Sequence, residues 1–282
     1  MLAEIDRLER IYSIFDSESE LSQWKQGTTE RADVSHDLAT LLSAGLHWRR
    51  VTNGLFNPAL AALTQRWRQA EKDDTEPSPA QLAILVDDAA NMPYDIDGTS
   101  VSRTDSCRNL DFNALAKGLI VDLATDAAWR THQLDALVVN LGGDLVHRGR
   151  GSARVLVEDP GDRAANATPV SSVEVSNAAA ATSGSSWRGF SVGGRWLGHV
   201  LDPRTGRPSA EVVSATVVAT DSTTADAVAT ALTILGADAG IAFADSLAPA
   251  VVSCLIIGAN GVLRSSASWA ANAAQVRPSP PE

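Results

Sequence analysis

The sequence predicts a mixed fold of α-helices and β-strands, and three observations support this. Segments with apolar residues at helical spacing occur near both ends of the chain, at residues 1–16 and 224–235. Short runs rich in Val, Ile and Thr, such as residues 212–219 and 250–257, have the composition and length of strands. The chain has 282 residues, of which 44% are hydrophobic, and this is enough to bury a substantial core.

The elements are predicted in order from these local patterns. The first helix, 1–16, has a common apolar face formed by Leu2, Ile5, Leu8, Ile11 and Phe15. Further helices are predicted at 33–50, from Pro58 to about Ala70, and at 114–131, 224–235 and 238–246. Strands are predicted near 94–103, 135–141, 153–158, 171–176, 187–203, 212–219 and 250–257. Residues 71–79 are polar and contain two prolines, which predicts an exposed loop. We expect one domain over residues 1–275 and a disordered tail over 276–282.

Composition narrows the class of protein. The formal net charge of −11 and the pI of about 4.9 disfavour binding to nucleic acids and to anionic membranes. An anionic ligand would need local help from helix N-termini, backbone amides or a metal ion. Cys107 and Cys254 have no metal-ligand or redox spacing, and Cys254 lies in an apolar run typical of a buried thiol. No apolar run reaches transmembrane length and no signal peptide is recognisable, so the chain as it stands is expected in the cytoplasm.

The pair Asp226 and Thr230 is the first candidate site. Residues one helical turn apart share a face, so a carboxylate and a hydroxyl can reach one hard cation. Alternatively, Asp226 caps its helix and Thr230 packs inward.

Paired glycines form a second candidate. Gly142 and Gly143 follow the apolar strand 135–141 and precede Asp144. Their amides could face an anion at close range, although such pairs also occur in ordinary turns.

Lys117 belongs to a third candidate, at the start of the helix 114–131. Unpaired amides at a helix N-terminus, together with a lysine, would hold a phosphate. The alternative is a surface lysine.

His199 is the fourth candidate. It ends a strand just before Asp202-Pro203-Arg204-Thr205-Gly206, whose composition predicts a tight turn. There the imidazole could orient a phosphate or move a proton, although a lone histidine can also be structural. The small residues Thr182-Ser183-Gly184 are predicted to form another turn in this region.

Five motifs in fixed order resemble those of the ApbE-type FAD:protein FMN transferases. They are Asp111-x-x-Ala114-x-Ala116-Lys117-Gly118-x-x-Val121-Asp122, Asn140-Leu141-Gly142-Gly143-Asp144, Thr182-Ser183-Gly184, His199-x-x-Asp202-Pro203-x-Thr205-Gly206 and Ala225-Asp226-Ala227-x-Ala229-Thr230-Ala231. The resemblance covers roughly residues 1–262. It implies an α+β fold, with mixed or antiparallel β-sheets and packed helices, which binds FAD in a cleft.

The resemblance also implies a reaction. In the family, Mg²⁺ supports transfer of FMN from FAD to a threonine hydroxyl of a target flavoprotein, and AMP is released. By this resemblance Asp226, Thr230 and the backbone carbonyl of Ala114 are the metal ligands. His199, together with Asp226, is implied to be catalytic, and His199 also to contact FAD. Flavin and phosphate contacts are implied for Asn57, Lys117, Gly142, Gly143, Ser183 and Gly184.

The sequence departs from the family pattern in three places. It begins at the helix that follows the family's first strand, so that strand is expected to be missing. Asn57 replaces an acid that commonly contacts the adenosine half of FAD. The family's usual aromatic is shifted to Trp187, which either stacks on a flavin or packs, with packing slightly favoured. Family members are often exported lipoproteins, which leaves the compartment open.

Two further functions are compatible with these residues. An FAD pyrophosphatase would pass FMN to water at the same Mg²⁺ site and yield free FMN and AMP. A non-catalytic protein would bind FAD and leave it intact.

Overall fold

The computed structural model describes residues 1–162 and 168–272, so the predicted tail 276–282 lies outside the described residues. Helices are α1 Leu2–Tyr12, α2 Glu20–Gln26, α3 His36–Val51, α4 Ala61–Asp73, α5 Pro79–Asp88, α6 Asn113–Thr131, α7 Ser222–Leu235, α8 Ala237–Ser246 and α9 Ala267–Asn272. Strands are β1 Arg31–Asp33, β2 Tyr94–Asp97, β3 Ser100–Arg103, β4 Ala136–Leu141, β5 Asp144–Gly149, β6 Ala153–Val157, β7 Ser171–Val175, β8 Ala178–Gly184, β9 Gly189–Val192, β10 Arg195–Gly198, β11 Val212–Ala219, β12 Val251–Gly258 and β13 Leu263–Ser265. Short 3-10 helices span Pro58–Leu60 and Asp105–Asn109.

A six-stranded sheet in the order β13-β12-β11-β8-β5-β4 is the centre of the fold. A three-stranded sheet, β1-β3-β2, and two hairpins, β6–β7 and β9–β10, accompany it. Every strand pairing in the described ranges is antiparallel. The expected α+β class is therefore confirmed, with antiparallel rather than mixed sheets.

The central strands are buried on both faces. Val217 and Ile256 point into the main core with helices α6 and α7, whereas Val218 and Leu255 point to the opposite face, against β6–β7 and Trp269. Because side chains alternate along a strand, two buried faces require a continuous apolar run, which is what residues 250–257 contain.

Helix α7 is buried on nearly all sides, because other elements pack around it. It lies against the central sheet and α6, and its alanines at 225, 227, 229 and 231 are fully buried. Small residues on the helix and in β8 let the two backbones approach closely. Asp221 caps the N-terminus by accepting from the Thr224 amide at 2.7 Å. Asp122 of α6 also accepts from the Ser222 and Thr223 amides, each at 2.8 Å, and so anchors α7 to α6.

Helix α4 and the residue that follows it support the β9–β10 hairpin. Trp67 of α4 stacks on Phe190 of β9, with ring centroids 6.2 Å apart. Glu71 accepts from the Ser191 amide at 2.8 Å, and Asp74 accepts from the Gly193 amide at 2.6 Å. The hairpin is therefore fixed along its length by one helix.

Several predicted elements need correction. Helix α1 ends at Tyr12 because Ser13 is extended and its hydroxyl caps the turn that follows. Consequently Phe15 is 80% exposed, and Leu2 at the other end is 72% exposed. The predicted loop 71–79 contains the end of α4 and the start of α5, where Ser78 and Gln81 form a capping box. Helices α2, α5 and α9 and strands β1, β5, β8 and β13 were not predicted.

The segment Thr182-Ser183-Gly184 is the end of strand β8 rather than a turn. Its residues pair with Thr216, Ala215 and Ser214 of β11. Among the described residues, no helix is both long enough and apolar enough to cross a membrane.

Candidate functional site

A cavity of about 1920 Å³ contains the candidate residues. Helices α1, α4, α6 and α7, the β4–β5 turn, and strands β6, β8 and β9 contribute to its wall. All ten residues predicted for the site line it: Asn57, Ala114, Lys117, Gly142, Gly143, Ser183, Gly184, His199, Asp226 and Thr230. Residues from Asn57 to Thr230, a span of 174 positions, therefore converge on one cavity.

Asp226 lies in the second turn of α7 and is 6% exposed. Its predicted alternative role as the helix cap is wrong, because Asp221 caps this helix. Thr230 follows one turn later and donates its hydroxyl hydrogen to the Asp226 carbonyl at 3.1 Å. The hydroxyl oxygen retains lone pairs that can accept or ligate.

Asp144, which the sequence analysis did not assign to the site, forms a charged cluster with Lys117 and Asp226. The Lys117 ammonium contacts the Asp144 carboxylate directly, and its Nζ lies 3.7 Å from Oδ2 of Asp226. Lys117 is therefore paired with carboxylates at the cavity rather than being a surface lysine, and its contact with a phosphate stays a prediction. The segment before α6 is a loop that follows a 3-10 helix. The sequence signal for Asp144 is its place as the last residue of the motif Asn140-Leu141-Gly142-Gly143-Asp144.

Burial dominates the electrostatics of this cluster. It raises the pKa of Asp226 to about 7, and the neighbouring Asp144 charge raises it further while Lys117 opposes both. Burial also raises the pKa of Asp144, against the pull of Lys117. Two carboxylates with one lysine leave negative charge uncompensated in a low-dielectric space, so another cation would be favoured there.

The oxygen atoms of this cluster fit a hard divalent cation. Oδ1 of Asp144 and Oδ2 of Asp226 are buried and accept no hydrogen bond from any described residue. Buried carboxylate oxygens without donors are the ligands that Mg²⁺ prefers. Thr230 supplies a hydroxyl on the same helix face. Ala114, with ψ of 15°, departs from helical geometry, which turns its carbonyl out of the regular hydrogen-bond ladder of α6.

His199 is held by the main chain of Arg188. The carbonyl oxygen of Arg188 accepts from the His199 amide at 3.1 Å and from Nδ1 at 3.2 Å. Since a carbonyl can only accept, Nδ1 bears the hydrogen, and Nε2 has a free lone pair in the neutral ring. Burial lowers the pKa of His199 below its ordinary value, which favours that neutral form. The imidazole is therefore suited to accept a proton.

The predicted turn after His199 is confirmed. The Asp202 carbonyl accepts from the Thr205 amide at 3.2 Å and from the Gly206 amide at 2.7 Å. Trp67, 1% exposed, donates its indole hydrogen to the Gly206 carbonyl at 2.7 Å. The turn is thus fixed to helix α4 as well as to the hairpin.

Gly142 and Gly143 form the two-residue turn between β4 and β5. Their φ angles are +60° and +100°, which glycine adopts without steric cost. They also line the cavity, so the turn and ligand-contact interpretations are compatible.

The hydrogen bonds of Asn57 and the exposure of Trp187 could not be predicted from the sequence. Both polar atoms of the Asn57 side chain serve the local fold: Oδ1 accepts from the Ala59 amide, and Nδ2 donates to the Ala89 carbonyl. Its contact with a ligand stays a prediction. Trp187 is 63% exposed at the cavity, which argues against the packing alternative, and its contact with a flavin stays a prediction.

Known proteins resemble this chain in sequence and in fold. A family model for the ApbE family matches residues 1–255. A protein named FAD:protein FMN transferase from Rhodobacter capsulatus is 34% identical over 212 residues, which cover 72% of this chain and 39% of that relative. One of the same name from Haemophilus influenzae is 27% identical over 251 residues, covering 83% of this chain and 70% of the relative.

Two solved structures show the same fold. The ApbE protein of Thermotoga maritima superimposes with a TM-score of 0.84 at 24% identity, covering 96% of this chain and 89% of that one. The flavin transferase ApbE of Vibrio cholerae gives a TM-score of 0.78 at the same identity and coverage. Fold, motif order and the match of the family model over most of the sequence agree: the chain belongs to the ApbE family.

Proposed function

We propose that this protein transfers FMN from FAD to a threonine hydroxyl of a target flavoprotein, with Mg²⁺ bound, and releases AMP. The observation that carries this proposal is that one cavity has both a buried carboxylate oxygen without a donor, at Asp226, and a neutral histidine, His199, in its lining. The first suits a cation beside phosphates, and the second suits removal of a proton from a hydroxyl. The names of the relatives supply the flavin substrate.

The cavity volume is also consistent with this reaction. Pockets for small molecules typically measure about 300–1,000 Å³. A cavity of about 1920 Å³ exceeds that range, so it can accept a dinucleotide together with part of an acceptor protein.

In the proposed reaction the threonine oxygen attacks the phosphorus on the FMN side of the diphosphate. A new P–O bond to threonine forms as the P–O bond to the AMP phosphate breaks, and AMP leaves with that bridging oxygen. Nε2 of His199 accepts the hydroxyl proton, because Nδ1 already donates to Arg188. In phosphoryl transfer, positioning of the reactants and neutralisation of the phosphate charge contribute more to the rate than proton removal does.

Mg²⁺ would be held by Asp226, Thr230 and the Ala114 carbonyl, and when bound it neutralises charge on the diphosphate. Asp144 and Lys117 then set the charge around Asp226. The Gly142–Gly143 turn and the end of β8 at Ser183 and Gly184 line the cavity beside them and would contact FAD.

The test is incubation with FAD, Mg²⁺ and a threonine-bearing flavoprotein domain, followed by intact-mass spectrometry of the acceptor and assay of AMP. We expect the acceptor to gain the mass of an FMN moiety, and EDTA to prevent this. Free FMN and AMP with an unmodified acceptor would instead support the FAD pyrophosphatase, once further threonine-bearing domains are also unmodified. Intact FAD would support a protein that only binds the dinucleotide.

Two variants assign the roles. Asp226→Ala should lose Mg²⁺-dependent transfer while circular dichroism shows that the fold persists, and Asp245→Ala, an exposed acid on α8, is its control. His199→Ala should reduce turnover more than FAD affinity, with exposed His36→Ala as control. Normal turnover in Asp226→Ala and His199→Ala would contradict the assigned mechanism.

A further inference from the structure

Two of the cations that line the cavity are already paired with carboxylates. Six Lys and Arg side chains line the cavity: Arg10, Arg68, Lys72, Lys117, Arg154 and Arg188. Lys117 pairs with Asp144, and Arg154 pairs with Glu174. For the other four, no ion pair with a carboxylate forms within residues 1–162 and 168–272. Of these four, three lie on α1 and α4, and only Arg188 adjoins His199.

The charge of Arg188 acts on both parts of the candidate site. The pKa of Asp144 is raised by burial, and Arg188 is one of the cations that pull it back down. The pKa of His199 is lowered by burial, and the positive charge of Arg188 lowers it further. The guanidinium is therefore close enough to the Asp144 carboxylate and to the imidazole for its charge to act on both. Arg188 and His199 both line the cavity.

The backbone of Arg188 is fixed in place by its neighbour. Gly189 pairs with Gly198 at the open end of the β9–β10 hairpin, and a Cβ at Gly189 would collide with the Leu197 carbonyl. This close approach brings the Arg188 carbonyl to the His199 ring. One residue therefore presents a carbonyl to the histidine and a guanidinium to the cavity.

We propose that Arg188 binds the diphosphate of FAD through its side chain while its carbonyl holds His199. This inference rests on the proposed function and adds a binding residue to it. A guanidinium can form paired, charge-assisted hydrogen bonds to phosphate oxygens. In a protein of net charge −11, with two acids at the site, a diphosphate needs such a cation in addition to Lys117.

Because the side chain and the carbonyl have separate roles, substitution of the side chain separates them. Arg188→Gln removes the charge and leaves the carbonyl that holds His199. We therefore expect a higher KM for FAD, with kcat at saturating FAD reduced less than in His199→Ala.

The decisive experiment compares ligands that share only parts of FAD, at constant Mg²⁺. FAD and riboflavin binding are measured by flavin fluorescence, and ADP binding by calorimetry. Arg188→Gln should weaken FAD and ADP binding by about tenfold or more and riboflavin binding by less than about twofold. Arg188→Lys should recover part of the loss, and exposed Arg130→Gln should bind all three ligands as the wild type does.

The possible outcomes separate this inference from the proposed function. If the wild type binds FAD and Arg188→Gln binds it equally tightly, the role of Arg188 is overturned, whereas the proposed function is not. Equal weakening of FAD and riboflavin would also overturn it, since it would indicate a structural defect. If the wild type bound neither FAD nor ADP, the proposed function would be wrong, and the role of Arg188 with it.

Discussion

Replacing Lys117 with Met tests the charge balance of the candidate site. The change keeps an unbranched side chain one atom shorter and removes the cation that contacts both Asp144 and Asp226. At 3.7 Å and an effective dielectric constant of about 20, the Lys117–Asp226 attraction alone is roughly 4.5 kcal/mol. The Lys117 side chain is 29% exposed, so solvent screens part of this. We expect a loss of about 3 kcal/mol in the free energy of unfolding, as for a buried ion pair with one partner removed.

The loss should depend on pH with a definite sign. Without Lys117 the pKa values of both carboxyls in the folded state rise further above the unfolded value of 3.8. A group with a raised folded-state pKa stabilises the protein when protonated, and this contribution is lost as pH rises through that pKa. The variant should therefore be most destabilised near about pH 8 and approach the wild type near about pH 5.

Urea unfolding followed by circular dichroism, at both pH values, measures these differences. Lys72→Met is the matched control, because Lys72 is an exposed lysine that also lines the cavity, and it should cost under about 1 kcal/mol. Added Mg²⁺ should restore part of the stability of Lys117→Met, since a divalent cation can replace the lost charge. A loss under about 1 kcal/mol near pH 8, or an equal loss near pH 5, would refute the reasoning.

Three further changes test how the site is supported. Burial raises the pKa of Asp122 from 3.8 to about 6, so its contribution to stability should fall by roughly 3 kcal/mol between about pH 4 and 7. Asp122→Asn should lack this dependence in urea unfolding, and an unchanged pH profile would contradict the raised pKa. Trp67→Phe removes the hydrogen bond to the Gly206 carbonyl and should cost about 1–3 kcal/mol and reduce turnover; unaltered stability and kcat would show that this bond does not support the turn. Gly189→Ala introduces a Cβ against the Leu197 carbonyl and should cost about 1–3 kcal/mol in thermal or urea unfolding, whereas a wild-type Tm would show that the hairpin can open freely.

Sequence patterns predicted those helices, strands and turns whose own residues are typical of that structure. Residues 212–219 and 222–235 were predicted within a few positions, because a Val- and Thr-rich strand and a helix with a capping acid are recognisable alone. The turn at Asp202 was predicted for the same reason. Strand β8 was missed, since its alanines and small polar residues have no strand propensity of their own. Its burial between β5 and β11 makes it a strand.

The sequence by itself determined which residue types the site contains. Asp226 and Thr230 lie one helical turn apart wherever the helix packs, and the paired glycines adopt their turn within four residues. Such short-range relations depend on local backbone geometry, so they can be read along the chain. The order of the motifs then predicted the family correctly.

Only the tertiary structure decided how those residues act on one another. Lys117 and Asp144 are 27 positions apart, and Asp226 lies 82 beyond Asp144. Whether they meet is determined by the register of β4, β5 and β8 and by the packing of α6 against α7. Arg188 likewise reaches His199 only through the pairing of β9 with β10. Interactions between charges depend on distance and burial, and both are set by packing across the sheet rather than by spacing along the chain.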